Sequence, residues 1–257
     1  MENHLELVKK FHDLESSYYT DERYNERTCE GLSYLTRKSI LLELIEHAPA
    51  GRLLDIGCGP GILTSELLNR GREVFSIDLS MRMLTNAQVS INENPHRIRA
   101  QFSNCEASKI CFRDKSFEFV LCIGVIFYVE DYLAVMREIY RILKERGTAV
   151  VQINKTASPW LYRTMIPVYR WLKTKFTGKQ YDKMKFKYNV FYYKRFLREV
   201  EQIGYRPERI EYYDYRIPFM DIIAPRLSVK LGKWLFYYRK NKMINWLSHG
   251  MLISLHK

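Results

Sequence analysis

The sequence predicts an α/β protein built on one mainly parallel sheet, and three observations carry that expectation. From about residue 52 to residue 153, short apolar runs alternate with segments of helical period, the pattern of strands joined by right-handed crossovers. The first run, Leu53-Leu54-Asp55-Ile56, breaks into Gly57-Cys58-Gly59-Pro60-Gly61, with glycine at alternate positions. Glycine there allows positive φ and lets a ligand approach bare main chain ahead of a helix. The third observation is Glu73 to Asp78, a second strand ending in an acid, about 20 residues past the turn, where a carboxylate can accept from both hydroxyls of a ribose.

Taken in order, the chain opens with helical spacing over 1–16 (Leu5, Val8, Phe11, Leu14), then Tyr18-Tyr19 and a polar stretch to about Arg27. A second helix is expected over about 32–47, stopped by Pro49-Ala50-Gly51. Strand 52–56 leads to helix 61–70, strand 73–77 to helix 80–91, then come strands at 98–102 and 117–123, helix 131–145 and strand 147–153. Beyond Asn154 the pattern changes. Residues 155–192 are rich in aromatic and basic residues (Trp160, Trp171, Lys183, Lys185, Lys187), and a helix at 193–203 ends on Gly204. A strand at 208–213, a second insertion over 215–248 and a final apolar strand, 250–256, complete the chain. The division expected is an N-terminal helical lid (1–50), a ligand-binding core (51–154), a first cap insertion (155–192), a core helix and strand (193–214), a second cap insertion (215–248) and the last strand (249–257).

Composition narrows the class. The chain of 257 residues can bury one ample core. No run of 18 uninterrupted apolar residues exists and the N-terminus is acidic and polar, so a cytoplasmic protein is expected. Five cysteines without Cys-x-x-Cys spacing indicate neither a disulfide framework nor a zinc site. The net charge of +12 lies in the second half: residues 1–154 carry 19 Lys and Arg against 22 Asp and Glu, residues 155–257 carry 22 against 7.

Leu-Leu-Asp-Ile-Gly-Cys-Gly-Pro-Gly (53–61), Ser-Ile-Asp-Leu-Ser-Met-Arg-Met-Leu (76–84), the run from Phe117 to Asp131 and Glu138-Ile-Tyr-Arg-Ile-Leu-Lys144 resemble four successive motifs of class I S-adenosylmethionine-dependent methyltransferases. The resemblance covers roughly 50–154 in order and spacing and continues more weakly to the C-terminus. It implies a Rossmann-like sheet of seven strands in the order 3-2-1-4-5-7-6, the last antiparallel, with helices on both faces and a helical cap. It implies S-adenosyl-L-methionine as cofactor and S-adenosyl-L-homocysteine as product.

By the same resemblance, Gly57, Cys58, Gly59 and Gly61 would receive the methionine end of the cofactor and Asp55 would orient its amino group. Asp78 would hold the ribose hydroxyls, with Ser80 better placed to cap the following helix. Leu79 and Met83 would flank the adenine, Glu106 and Ala107 stand where the family has Asp-Ala, and Cys122 and Ile123 would lend carbonyls. Arg37 stands where family members meet the methionine carboxylate, and Tyr19 lies in the lid. The histidine that relatives carry after strand four is replaced in Ile126-Phe127-Tyr128-Val129. Tyr128, His249 and His12 therefore remain as candidates for handling a proton at the acceptor, with no base assigned.

The acceptor is open among three classes. Strand four lacks an Asn-Pro-Pro-Tyr type sequence and Cys122 has no proline beside it, which disfavours amine methylation of adenine or glutamine and cytosine C5 chemistry; aminopropyl transfer is disfavoured by the uncharged 122–125. A small hydrophobic or amphipathic acceptor fits the aromatic caps, with peripheral contact at an anionic inner-membrane surface as an option, because Trp234-Leu-Phe-Tyr-Tyr-Arg-Lys joins aromatic anchors to cations. RNA methylation by the basic half is the alternative, and a non-catalytic cofactor-binding scaffold the third. No metal is expected, and the oligomeric state is left open.

Overall fold

The computed structural model describes residues 3–154, 167–169, 171–172, 174–175, 188–217 and 219–257. The first insertion's Trp160, Lys183, Lys185 and Lys187 thus lie outside the described residues. Seven strands, β1 (Arg52–Ile56), β2 (Glu73–Asp78), β3 (Ala100–Asn104), β4 (Phe117–Cys122), β5 (Leu143–Asn154), β6 (Arg206–Tyr215) and β7 (Ser248–His256), form one sheet. Its order is β3-β2-β1-β4-β5-β7-β6. Strands β1 to β5 run parallel, while β7 runs antiparallel between β5 and β6. This is the Rossmann-like methyltransferase sheet that the motifs implied.

Two apolar layers hold the sheet. On one face, α6 (Tyr132–Ile142) and α7 (Tyr193–Ile203) bury Val135, Met136, Ile139, Phe196 and Val200. On the other, α3 (Cys29–Glu46) and α4 (Ile62–Asn69) bury Ile40, Leu41, Leu44, Leu67 and Leu68 against Leu53, Phe119 and Val150. The central strands are apolar on both faces because both are covered. Before these lie α1 (His4–Glu15) and the short α2 (Tyr19–Arg23), and α5 (Met81–Ser90) follows β2.

Several boundaries differ from the sequence reading for local reasons. The third strand begins at Ala100, because Arg97–Arg99 forms a 3-10 turn that leaves Ile98 88% exposed; its apolar side chain mimicked a strand position. The α6 helix stops at Ile142, since Leu143 is needed in the core opposite Phe117. The second helix starts at Cys29, three residues early, where the Thr28 hydroxyl accepts from the Gly31 amide at 2.9 Å.

The second insertion also differs in role. Its helices α8 (Met220–Ile223) and α9 (Pro225–Tyr237) were expected to cap the ligand edge, yet α9 seats against α3 and β6. Small residues permit that approach: a side-chain carbon at Gly232 would stand 2.9 Å from Leu32 and 3.1 Å from the Tyr215 carbonyl. The Arg239–Glu43 bond at 2.6 Å tethers its end. The helix braces α3 from outside.

Candidate active site

The glycine turn is built by backbone geometry. Gly57 and Gly59 take φ of 71° and 54°, values that only glycine adopts without strain. The Gly57 and Cys58 amides donate to the Ile77 carbonyl at 2.7 and 3.1 Å, which locks the turn to the end of β2. A side-chain carbon placed on Gly59 would meet nothing within 4 Å, so this stretch of main chain faces open space. Gly61 differs: at φ 78° its added carbon would stand 2.9 Å from Ala87 of α5. That glycine serves helix packing, and it lines no part of the cavity.

The open space belongs to a cavity of about 320 Å³ at the carboxyl edge of the parallel strands. One end is lined by Gly57, Gly59, Asp78, Leu79, Met83, Glu106, Ala107 and Ile123. A smaller pocket of about 50 Å³, sharing Tyr19, Tyr34, Arg37, Gly57 and Ile123 with it, adds Asp55 and Cys58. Of the residues expected at this end, all but Gly61 and Cys122 line one or other of the two pockets. The Cys122 side chain is fully buried in the core under α6, because it alternates to the far face of β4, so only its main chain is offered at this edge, while Ile123 and Gly124 line the cavity.

Asp78 is oriented by the turn. Its two carboxylate oxygens accept from the Gly59 amide at 2.9 Å and the Ser80 amide at 2.8 Å. Ser80, not Asp78, caps α5 by accepting from Met83, as the spacing suggested. Burial raises the Asp78 carboxyl's pKa, against the two backbone donors. Asp55 is 2% exposed and, among the described residues, its carboxylate receives only the Thr64 hydroxyl, at 3.4 Å. Burial, then the charge of Asp78, pushes its pKa up to about 7. A cation placed beside it would restore its ionised form.

Arg37 presents the opposite case. Its guanidinium donates to Gln152 at 2.8 Å and lies 4.2 Å from the Tyr34 ring centroid, and no carboxylate stands within ion-pair distance among the described residues. Arg23 and Arg216, by contrast, are paired with Glu15 and Glu30 and with Asp214. A half-buried guanidinium without an acid, at the junction of the two pockets, suits a carboxylate ligand.

The rest of the cavity is polar and aromatic. Helix α1 closes it, with His4 bonded to the Tyr128 carbonyl at 2.7 Å, Asp13 to the Ser80 hydroxyl, and the Ser16 carbonyl accepting from Asn86 at 2.8 Å. That places His12 in the wall, its Nδ1 3.6 Å from the Glu15 carboxylate and its ring edge-on to Tyr128 at 4.9 Å. Burial works to raise the Glu15 pKa, but the bond to His12 and the charge of Arg23 outweigh it and hold the carboxyl below its usual value. Tyr128 is buried enough that its phenol is held well above the ordinary range. His249 is exposed and lines no part of the cavity: it stands at the correct end of the sheet, on a side chain that points to solvent.

Sequence reading missed Glu15, Arg23, Tyr34, Gln152 and Arg216. A signal existed for part of this. Glu30, Ser33, Tyr34 and Arg37 recur at the helical period on α3 and all line the cavity, a polar stripe on a helix whose later turns are core. Among the described residues, no group of three His, Cys, Asp or Glu is placed to hold a metal ion, and no helix is long and apolar enough to cross a membrane.

A glycine-cradled cavity at this edge of a 3-2-1-4-5-7-6 sheet defines the class I methyltransferase fold. Residues 54–151 match the family model described as a methyltransferase domain, and the chain carries a class I S-adenosylmethionine-dependent methyltransferase domain whose cofactor is S-adenosyl-L-methionine. A ubiquinone biosynthesis O-methyltransferase of Rickettsia bellii is 29% identical over 110 residues, 42% of this chain and 45% of that protein. The chain thus matches less than half the length of such curated relatives. Phosphoethanolamine N-methyltransferase 2 of Haemonchus contortus, solved with S-adenosyl-L-methionine, superposes with a TM-score of 0.68 at 16% identity, over 100% of this chain and 60% of that one. The cyclase SpnF superposes at 0.67 and 14% identity, over 100% and 97%. These likenesses show the fold, which hosts more than one chemistry.

Proposed function

We propose that the protein is an S-adenosylmethionine-dependent methyltransferase acting on a hydroxyl of a small amphipathic acceptor. The observation that carries this reading is the His12–Glu15 pair in the cavity wall beside Tyr128. Bound S-adenosyl-L-methionine supplies an electrophilic sulfonium methyl. Asp78 would take its ribose, Glu106 and Ala107 its adenine edge, Leu79 and Met83 its ring faces. Asp55 would meet its ammonium and Arg37 its carboxylate, with Tyr19 closing over that end.

An amine that is already neutral needs no base, whereas a hydroxyl must lose its proton as it attacks. His12 would accept that proton at one ring nitrogen while Glu15 stabilises the imidazolium from the other side. Tyr128 and Tyr188, with ring centroids 5.5 Å apart, offer apolar faces to the acceptor. Lid helix α1 would exclude water from the reaction.

The cavity's charge argues against RNA. Its described lining holds three arginines against five carboxylates, whereas a phosphate-binding channel needs a cationic surplus. The relative named an O-methyltransferase supports the hydroxyl reading. The test is S-adenosyl-L-homocysteine production over a panel of phenols, catechols and amines, with wild type, His12→Ala and Glu15→Gln. Hydroxyl acceptors should be turned over, with kcat reduced roughly 10²- to 10⁴-fold in His12→Ala and cofactor affinity preserved. Turnover of amines alone, or an unchanged kcat in both variants, would overturn the proposal.

A further inference from the structure

We propose that the outer face of α9, with the turn that follows it, docks the protein on an anionic phospholipid bilayer. The helix has two faces of different use. Ser228, Val229, Gly232 and Leu235 are buried against α3 and β6. On the opposite side, Leu227, Trp234, Tyr237 and Tyr238 recur at steps of seven, three and one residues and are 53%, 56%, 77% and 46% exposed. At 100° per residue they fall within one outward sector, with Lys230 among them.

Neighbouring segments extend the patch. Ile223 of α8 is 82% exposed, and Met243 and Trp246, on the 3-10 turn Lys242–Leu247, are 80% and 74% exposed. The aromatic rings support one another, Trp234 to Tyr238 at 5.1 Å and Tyr237 to Tyr238 at 5.0 Å, yet about half or more of each residue faces water. Scattered exposed apolar side chains are ordinary; seven on adjoining turns are an interaction surface.

The charge decides the occupant. Residues 220–247 carry six cations, Arg226, Lys230, Lys233, Arg239, Lys240 and Lys242, against the single acid Asp221. Two of the six are committed to the protein itself, Lys233 to Glu26 and Arg239 to Glu43. The other four, Arg226, Lys230, Lys240 and Lys242, are exposed in the same stretch of chain as the aromatic patch. A second copy would set these four against their equals, whereas a bilayer containing anionic lipid meets them with opposite charge and accepts indole and phenol rings at its headgroup level. Lysines beside an inserted ring can extend to the phosphates while their stems stay apolar.

None of these residues lines the cavity, so the docking face can be tested apart from any chemistry. The full chain would be sedimented with phosphatidylcholine vesicles and with vesicles containing about one third phosphatidylglycerol. Retention is expected only on the anionic vesicles and should fall with added salt. Lys230→Gln, Lys240→Gln and Lys242→Gln together should weaken it about a hundredfold, at roughly fivefold per cation, and Trp234→Ser with Tyr237→Ser should weaken it at least tenfold. Calorimetric affinity for S-adenosyl-L-homocysteine should be unchanged in both variants, which confirms their fold. Absent retention, equal retention on neutral vesicles, undiminished retention of the variants, or a wild-type dimer that Trp234→Ser and Tyr237→Ser dissociate would each overturn the proposal.

Discussion

Replacing Asp78 by asparagine tests the cofactor assignment at its most exposed point. Each carboxylate oxygen of Asp78 accepts one backbone amide, from Gly59 and from Ser80. A ribose diol would add one hydrogen bond to each. Asparagine keeps the shape and one acceptor, so one bond to a charged oxygen is lost, about 1.5–3 kcal/mol, or roughly ten- to a hundredfold in affinity. Alanine is the poorer probe, because it removes both acceptors and frees the turn as well as the ligand. In Asp78→Asn the orphaned amide costs stability, while a neutral side chain escapes the desolvation that raises the carboxyl's pKa. These oppose, and the thermal midpoint should stay within a few degrees. Titration calorimetry with S-adenosyl-L-homocysteine measures the first effect and a thermal scan the second. A folded Asp78→Asn protein that binds within twofold of wild type would refute the reasoning.

The other site residues separate by similar contrasts. Gly59→Ala should cost roughly 1–2 kcal/mol for its left-handed backbone and abolish tight cofactor binding, since the methyl enters open cavity; Gly61→Ala should lose more stability through its contact with Ala87, and denaturant melts that rank the two the other way contradict the division of roles. Arg37→Met should weaken S-adenosyl-L-homocysteine at least tenfold yet leave methylthioadenosine, which has no amino-acid end, within twofold; equal losses for both ligands would remove Arg37 from the carboxylate. Asp55 has a folded pKa of about 7 against an ordinary 3.8, so it subtracts stability as pH rises from about 4 to about 7 and the full penalty stands above. Cofactor-free Asp55→Asn should therefore melt higher than wild type at pH 8 and level with it below pH 4, with a lower midpoint at pH 8 counting against the shift.

How much of this was legible in the sequence divides along the cavity. The cofactor end depends on local chain geometry: a strand must break into a turn of positive φ, and a second strand must end in an acid. Both requirements are met by contiguous residues, Ile56 to Gly61 and Ile77 to Ser80, and both are held by short-range hydrogen bonds. The sheet order was legible for the same reason, through motifs tied to particular strands. What the motif could not reveal was which glycine does what. Gly59 faces a void and Gly61 faces a helix, and that difference comes from where α5 crosses, 26 residues downstream at Ala87.

The acceptor end obeys a different rule. His12 and Glu15 come from α1, Arg23 from α2, Arg37 from α3, Tyr128 from the loop after β4, Gln152 from β5 and Arg216 from the end of β6. These residues come from six separate elements, and except for Glu15 and Arg23 those paired or packed together across elements lie far apart in the chain, so periodicity could single out only the α3 stripe. Their pairing is what gives them character. Arg23 and Arg216 are spoken for by acids, which leaves Arg37 as the guanidinium able to receive a carboxylate, and Glu15 turns an ordinary lid histidine into a candidate base. Charge counts along the chain could not say where the cations fall for the same reason. The surplus of cations in the second half left a phosphate-binding site open, but the described cavity lining carries an excess of acids, and four of that half's cations, Arg226, Lys230, Lys240 and Lys242, are exposed on α9 and the turn after it, the same stretch as an aromatic patch that the cavity does not use. A basic half of a chain thus implies a basic surface, and only the fold says which one.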